Sequence, residues 1–378
     1  MISRIVRSWV FVPALLIFAA LIYWRVHQGS PKALSIGFVG ERDVILWNTL
    51  AQVRESVGEV HYGDRVEVLR TEGPAVQVRT ASGTLGWIRD SRQVMDSDLW
   101  DKSAALLDRA RTLPVQARGR TKTVSNLRVA PGRDGQRVFQ LARGTRVLIL
   151  ERAVADAPQG PEENSQAQGD KSSAADDDKP KQEDWLLVLR AIDSQTTADT
   201  GSPSGASIEA KRATGDAVSA GPVASQSSLL AVGGLAGPVA GWVLARFVEM
   251  DLPGPVKDLA GTADMRVLAW FELNRVPDGS GGEAPQYLAA GSRGGEGSAC
   301  DFTMLRVYTW GRVRKRYETA YVESDLCGRL PIRVSNGEKG PEFQFPDVDE
   351  GGADRKYVMV QTAVRRVRDA TARPSHRK

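Results

Sequence analysis

Histidine and cysteine are scarce. Only His27, His61 and His376 occur in 378 residues, and no two of them are neighbours in sequence. A Ser-His-Asp centre or a histidine-rich zinc centre would have to rest on His61, because the other two stand at the edges of the chain. That argues against both chemistries and leaves carboxylate pairs and oxygen-ligand metal sites open. The two cysteines, Cys300 and Cys327, are too few for a disulfide-dense scaffold and lack the C-x-x-C spacing of a redox motif. Charge of one sign is missing too: 50 Lys and Arg face 46 Asp and Glu, a net of +4. A nucleic-acid binder concentrates basic residues on one face, so no nucleic-acid partner is expected. The one basic cluster, Arg365, Arg366, Arg368, Arg373, His376, Arg377 and Lys378, is terminal. It reads as a solvated tail over 370–378, with contact to an anionic lipid or polymer as the alternative.

One long apolar run is present. Arg4 and Arg7 precede residues 9–24, broken only by Pro13, and charge resumes at Arg25. Trp9, Tyr23 and Trp24 stand at its ends, where interfacial rings belong. No small-x-small cleavage site follows, and no cysteine that would mark a lipoprotein. Residues 1–30 therefore read as a cytoplasmic tip and a single-pass signal anchor through 9–24, short but workable for a bilayer. A cleaved signal peptide is the alternative. The leading end is slightly more positive and should stay cytoplasmic. The bulk of the chain is then expected outside the membrane, where disulfides are permitted.

Most of the chain beyond the apolar run is β-patterned, and part of it repeats. Gly63-Asp64-Arg65-Val66-Glu67-Val68-Leu69 matches Gly144-Thr145-Arg146-Val147-Leu148-Ile149-Leu150 at an offset of 81, which Val60 and Leu141 also obey. Alternation places Val66 with Val68, and Val76 with Val78, on one strand face each. Gly86-Trp87-Ile88 parallels Gly241-Trp242-Val243. The second copy is the fuller one: Ser125-Asn126-Leu127-Arg128-Val129-Ala130-Pro131-Gly132, then Val138, Leu141, Gly144, Val147–Leu150, Trp185-Leu186-Leu187-Val188 and Gly241-Trp242-Val243. This series resembles the bacterial SH3 domain, a small five-stranded β-barrel. The first copy, residues 36–95, is degenerate: Ile45, Trp47, Leu50 and Ala75 stand where the second has Asn126, Arg128, Pro131 and Trp185. The second spans 119–252.

Residues 96–118 link the two. Asp98–Leu113 reads as a helix with Leu99, Leu106, Leu107, Ala110 and Leu113 mostly on one side, Ser97 as N-cap and Pro114 as terminator. A helix packed on a barrel is the plain reading, and a partner-binding helix the alternative. The second copy also carries two low-complexity insertions, 152–184 and 193–238, the first acidic and the second rich in Ser, Ala, Gly and Thr. Too little apolar surface is available there to offset ordering entropy, so disorder is expected.

Residues 264–369 read as a separate antiparallel β-sheet domain. Its centre is a hairpin of Phe302–Trp310 with Val313–Val322 turning at Gly311-Arg312. On its second strand Arg316, Glu318 and Ala320 should share one face, and Tyr317, Thr319 and Tyr321 the other. Cys300 and Cys327 flank the hairpin within reach of a disulfide, with two buried thiols as the alternative. Asp347-Val348-Asp349-Glu350-Gly351-Gly352-Ala353-Asp354 weakly resembles the calcium-type Asp-x-Asp-x-Asp-Gly loops of FG-GAP repeats. The resemblance implies Asp347, Asp349 and Asp354 as Ca2+ ligands, with a solvated acidic turn as the alternative. No other cofactor is expected.

The fold class expected is therefore mainly β: an N-terminal transmembrane helix, two SH3-like barrels joined by a helix, and a C-terminal antiparallel sheet. The bacterial SH3 resemblance implies a bacterial inner-membrane protein and a ligand drawn from cell-wall peptide or glycan, or an envelope protein partner. Trp185, Trp242 and Phe247 match family aromatic positions and are the candidate ligand contacts, although such residues usually fill a core. No catalytic constellation stands out. Acid pairs such as Glu318 with Asp325, or Asp347 with Asp349, keep an enzymatic or metal-dependent C-terminal module as an alternative. An envelope scaffold or sensor is a third.

Overall fold

The structure is a computed structural model and describes residues 32–158, 181–190 and 237–367. The expected membrane anchor and the basic tail lie outside the described residues. No helix among the described residues is long and apolar enough to cross a membrane. The described chain is mainly β, with 22 strands in three antiparallel sheets and two α-helices. It divides into two compact units, residues 1–100 and 101–378.

The first unit holds β1 (Ser35–Val39), β2 (Asp43–Trp47), β3 (Ser56–His61), β4 (Arg65–Glu72), β5 (Ala75–Thr80), β6 (Leu85–Ile88) and β7 (Val94–Asp96). They form one sheet in the order β3-β2-β6-β5-β4-β1-β7. The alternating valines close its core: Val66, Val76 and Val78 pack with Val39, Val44, Leu46, Val60 and Ile88, while Val68 lies at the margin.

The first part of the second unit, residues 117–250, repeats this plan. Its strands are β8 (Ala117–Thr121), β9 (Ser125–Arg128), β10 (Arg137–Leu141), β11 (Arg146–Asp156), β12 (Gln182–Arg190), β13 (Ala240–Leu244) and β14 (Val248–Met250). Their order, β10-β9-β13-β12-β11-β8-β14, is the first sheet's order with each strand number raised by seven. A short 3₁₀ turn precedes the last strand in both, at Ser91–Gln93 and at Ala245–Phe247. Gly63 and Gly144 both take positive φ, +88° and +78°, a turn geometry that side chains disfavour.

The two Gly-Trp motifs share one cause. A Cβ on Gly86 would lie 2.7 Å from the Cβ of Leu46, and a Cβ on Gly241 2.7 Å from that of Leu127, the equivalent leucine. Each glycine lets the sheet close over a buried β2 or β9 leucine. Gly241→Ala is accordingly expected to cost about 1–3 kcal/mol through overpacking. Chemical denaturation of Gly241→Ala beside the parent chain should show the loss.

Helix α1 spans Ser97–Thr112, and its N-cap is Asp96 rather than Ser97. The Asp96 carboxylate accepts the Leu99 N–H at 2.8 Å, and a charged acceptor there also complements the helix dipole. Trp100 stacks on Phe38 at 4.8 Å within the first unit. Leu106 and Ala110 join the core of the second sheet with Leu150, Trp185, Leu187 and Trp242.

The expected insertion at 152–184 is narrower in the structure. β11 continues through Asp156 and β12 begins at Gln182, paired from Arg152↔Leu186 to Asp156↔Gln182. Hairpin pairing extends both strands past the point where composition turns polar. Segments 159–180 and 191–236, which hold most of both expected insertions, lie outside the described residues.

Helix α2 (Gly254–Thr262) leads into the C-terminal sheet: β15 (Arg266–Pro277), β16 (Glu283–Ser292), β17 (Phe302–Gly311), β18 (Arg316–Gly328), β19 (Arg333–Gly337), β20 (Gly340–Asp347), β21 (Ala353–Val360) and β22 (Ala363–Val367). The order is β15-β16-β17-β18-β20-β21-β22, with β19 paired to β20. One core gathers Leu288, Phe302, Leu305, Phe343, Phe345 and Tyr357. A second packs α2 through Val256 and Ala260 against Val267, Ala289, Met304 and Tyr308.

Two expectations change here. The hairpin turns over 312–315, with Val313 at its tip 97% exposed, and β18 restarts at Arg316. Tyr317 and Tyr321 do not share a face: Tyr317 packs with the α2-side core and Tyr321 with the other. The pairing runs Val307↔Tyr321 and then Tyr308↔Thr319, so the register skips Ala320. One extra residue in a strand inverts the alternation beyond it.

Candidate binding site on the second sheet

The three aromatic residues proposed as ligand contacts separate on the structure. Trp185 is 2% exposed and Trp242 6%, and both fill the core of the second sheet beside Leu106, Leu187 and Leu244. The pairing Leu186↔Val243 here matches Val76↔Ile88 in the first sheet, which puts Ala75 at the place of Trp185. Phe247 is only half-buried, on the 3₁₀ turn between β13 and β14. It borders a groove of about 200 Å³ with Asn126, Arg128, Arg133 and an edge of Trp185. The Trp185 Nε1 has no hydrogen-bond partner.

Cations surround this groove and are held in place. Arg133 grips Glu183 through two hydrogen bonds, of 3.0 and 2.6 Å. Arg246 donates to the same carboxylate at 2.8 Å and stands over the Phe247 ring at 5.6 Å. Arg128 donates to the Gly135 carbonyl at 2.5 Å. The hydrogen bond from Arg133 holds the Glu183 carboxyl below its ordinary value against the opposing effect of burial, and Arg246 adds to it.

A larger cleft of about 670 Å³ lies where the second sheet meets the C-terminal sheet. Arg152, Asp184, Arg246, Arg266, Lys122 and Lys257 are among the residues that line it. Arg152 and Asp184 are each 2% exposed and form an ion pair at 2.5 Å. Arg152 also donates to Asp301 at 3.1 Å and to the carbonyls of Ser298 and Cys300. Asp184 further accepts from Arg266 at 2.8 Å and from the Gly297 N–H at 2.9 Å. Burial pushes the Asp184 carboxyl up, but these donors outweigh it and hold it below the usual aspartate range. Neither residue was legible as functional in the sequence, because both fell inside the acidic, low-complexity stretch. The usable signal was strand alternation continuing from Ile149 through Ala153.

The depressed carboxyls set an acid dependence. Each contributes stability that is fully present above its unfolded value of about 4 and is lost as pH falls through the lower folded value. Glu183→Gln is expected to lower stability at neutral pH and to flatten the further loss on acidification. Denaturant midpoints of both chains across the acid range check this.

Cys300 and Cys327 are joined by a disulfide across a sequence separation of 27. The bridge sits next to Asp301, which also accepts the Leu330 N–H at 2.8 Å.

The proposed calcium ligands diverge. Asp347 is fully buried, accepts the Asp349 N–H at 2.8 Å and pairs with the Arg355 Nε at 2.6 Å, whereas Asp349 and Asp354 are exposed. The guanidinium of Arg355 thus occupies the inner carboxylate that the calcium reading requires, with Glu323 and Glu350 as its other partners. Glu323 is in turn saturated by the hydroxyls of Tyr321 and Tyr357, at 2.8 and 2.6 Å. Burial, reinforced by that carboxylate, pushes the Tyr321 hydroxyl up to about 12. Of the acid pairs, Glu318 is bound by Arg314 at 3.1 Å. Asp325 stands seven residues further along the same strand, roughly 20 Å away at strand rise.

These features define a mainly β protein with one seven-stranded antiparallel plan used twice and an eight-stranded antiparallel C-terminal sheet. No family model and no curated protein matches the chain. Among solved structures, an NlpC/P60 family protein from Bacillus cereus ATCC 10987 aligns at 14% identity with a TM-score of 0.18. The alignment covers 33% of this chain and 52% of that one, so the chain spans about half the length of that neighbour. A likeness at this score carries no argument about fold or function.

Proposed function

We propose that the chain is a non-catalytic binding protein of a bacterial cell envelope, anchored in the inner membrane through residues 9–24. Its two barrels, read as bacterial SH3-like domains, hold cell-wall peptide or glycan, or an envelope protein partner. The observation that carries this reading is the duplicated strand order, which holds at an offset of 81 residues as far as β4 and β11 and continues past the longer spacing in the second copy. The buried Gly-Trp motifs supply the core, which leaves recognition to the surface. The disulfide favours an oxidising compartment. The groove around Phe247 pairs an aromatic face with arginines and an amide side chain, a set suited to a polar, partly apolar peptide or sugar.

Sedimentation with purified peptidoglycan sacculi tests the reading. The detergent-solubilised full chain is expected to pellet with sacculi in a saturable manner. Failure to pellet, with retention of an envelope protein on the immobilised chain instead, selects the protein-partner branch. Failure of both overturns the proposal.

A further inference from the structure

We propose that Asp43, Glu59 and His61 form a binding site for a zinc-type divalent ion on the hairpin of β2 and β3. Asp43 is distant in sequence from the Glu59 and His61 pair, and strand pairing brings the three together. Asp43 lies directly opposite His61, and Glu59 is opposite Ile45. Glu59 and His61 are two residues apart and project from the same face of β3. One ligand atom from each of the three lies within 4.8 Å of the others. The His61 Nδ1 is hydrogen-bonded to Asp43 Oδ1 at 3.0 Å, and an ion bound by both would replace the shared proton. Arg42 engages the other oxygen, Oδ2 of Asp43, at 3.4 Å, which leaves Oδ1 turned to the histidine. The His61 N–H donates to Asp64 at 2.8 Å and fixes the end of the strand.

The duplicate shows that the fold does not require this trio. At the offset of 81 the equivalent residues are Val124, Gln140 and Ala142. That copy builds the same hairpin in the same register, with Ser125 opposite Leu141 and Asn126 opposite Gln140. Val124 is 55% exposed there, so an apolar side chain at the Asp43 position is tolerated without packing. Three ligating groups thus converge in one copy at positions where the other copy carries none.

An imidazole with two carboxylates suits zinc and its transition-metal neighbours better than Mg2+ or Ca2+, which take all-oxygen shells. Three protein ligands leave a fourth position of a tetrahedral ion for water or for an outside donor.

Isothermal titration of the full chain with Zn2+ tests the site. One ion per chain is expected, with Mg2+ in excess failing to compete. His61→Ala and Glu59→Gln are each expected to weaken binding by about tenfold or more. Both residues are exposed, so the folded state should persist, and the unfolding temperature of each variant checks that. A double variant, His27→Ala with His376→Ala, should bind as the parent does. Equal Zn2+ affinity in parent and His61→Ala, or no saturable binding by the parent, overturns the proposal.

Discussion

Arg152→Met is expected to destabilise the second unit by about 3–5 kcal/mol, because it leaves two buried carboxylates without their shared cation. Asp184 and Asp301 are 2% and 3% exposed and both bond to Arg152. Asp184 would retain Arg266 and the Gly297 N–H, and Asp301 the Leu330 N–H and Arg329. Loss should therefore be large but not complete. Hydrogen exchange gives the most local readout, with protection falling at the Gly297 and Leu330 amides. A double variant, Arg152→Met with Asp184→Leu, should regain part of the stability, since an apolar pair leaves less charge uncompensated. Unchanged exchange at both amides would show that the network does not hold the second sheet to the C-terminal sheet.

Removal of the disulfide by Cys300→Ser with Cys327→Ser is expected to cost about 2–4 kcal/mol, the usual range for a loop of this length. The separation of 27 residues encloses the whole β17–β18 hairpin, so the unfolded chain gains substantial freedom. The Cys300 carbonyl accepts from Arg152, and Asp301 follows it directly. Freeing this corner should loosen the acceptors of Arg152, so the serine pair and Arg152→Met should not add. Additive losses in denaturant unfolding would contradict that coupling. Reducing agent should reproduce the effect in the parent chain and leave the serine variant unchanged.

Legibility followed whether a feature depends on local pattern or on register. The repeat could be read because turn glycines, alternating valines and the Gly-Trp pair each answer a local steric demand, and Gly86 and Gly241 face equivalent leucines. Trp185 and Trp242 belong to the same repeated pattern, yet burial makes them core plugs and leaves Phe247 as the half-buried one of the three aromatics. Arg152 and Asp184 were hidden because composition turns acidic before the strands end. The skipped Ala320 was hidden because a bulge leaves no mark in simple alternation. Asp43, Glu59 and His61 converge only once the register is known, which is also why three scattered histidines gave no metal signal. Asp347 heads a calcium-like loop in the sequence, and Arg355, eight residues on, meets its carboxylate from the neighbouring strand.

The proposed function rests on the second sheet binding an envelope ligand through the groove at Phe247. Side-by-side measurement of sacculus affinity for the parent and for Phe247→Ala with Asn126→Ala tests it most directly. Loss of an aromatic anchor is expected to weaken binding by about tenfold or more, with the unfolding transition still cooperative. Equal affinities in the two folded chains would contradict the account.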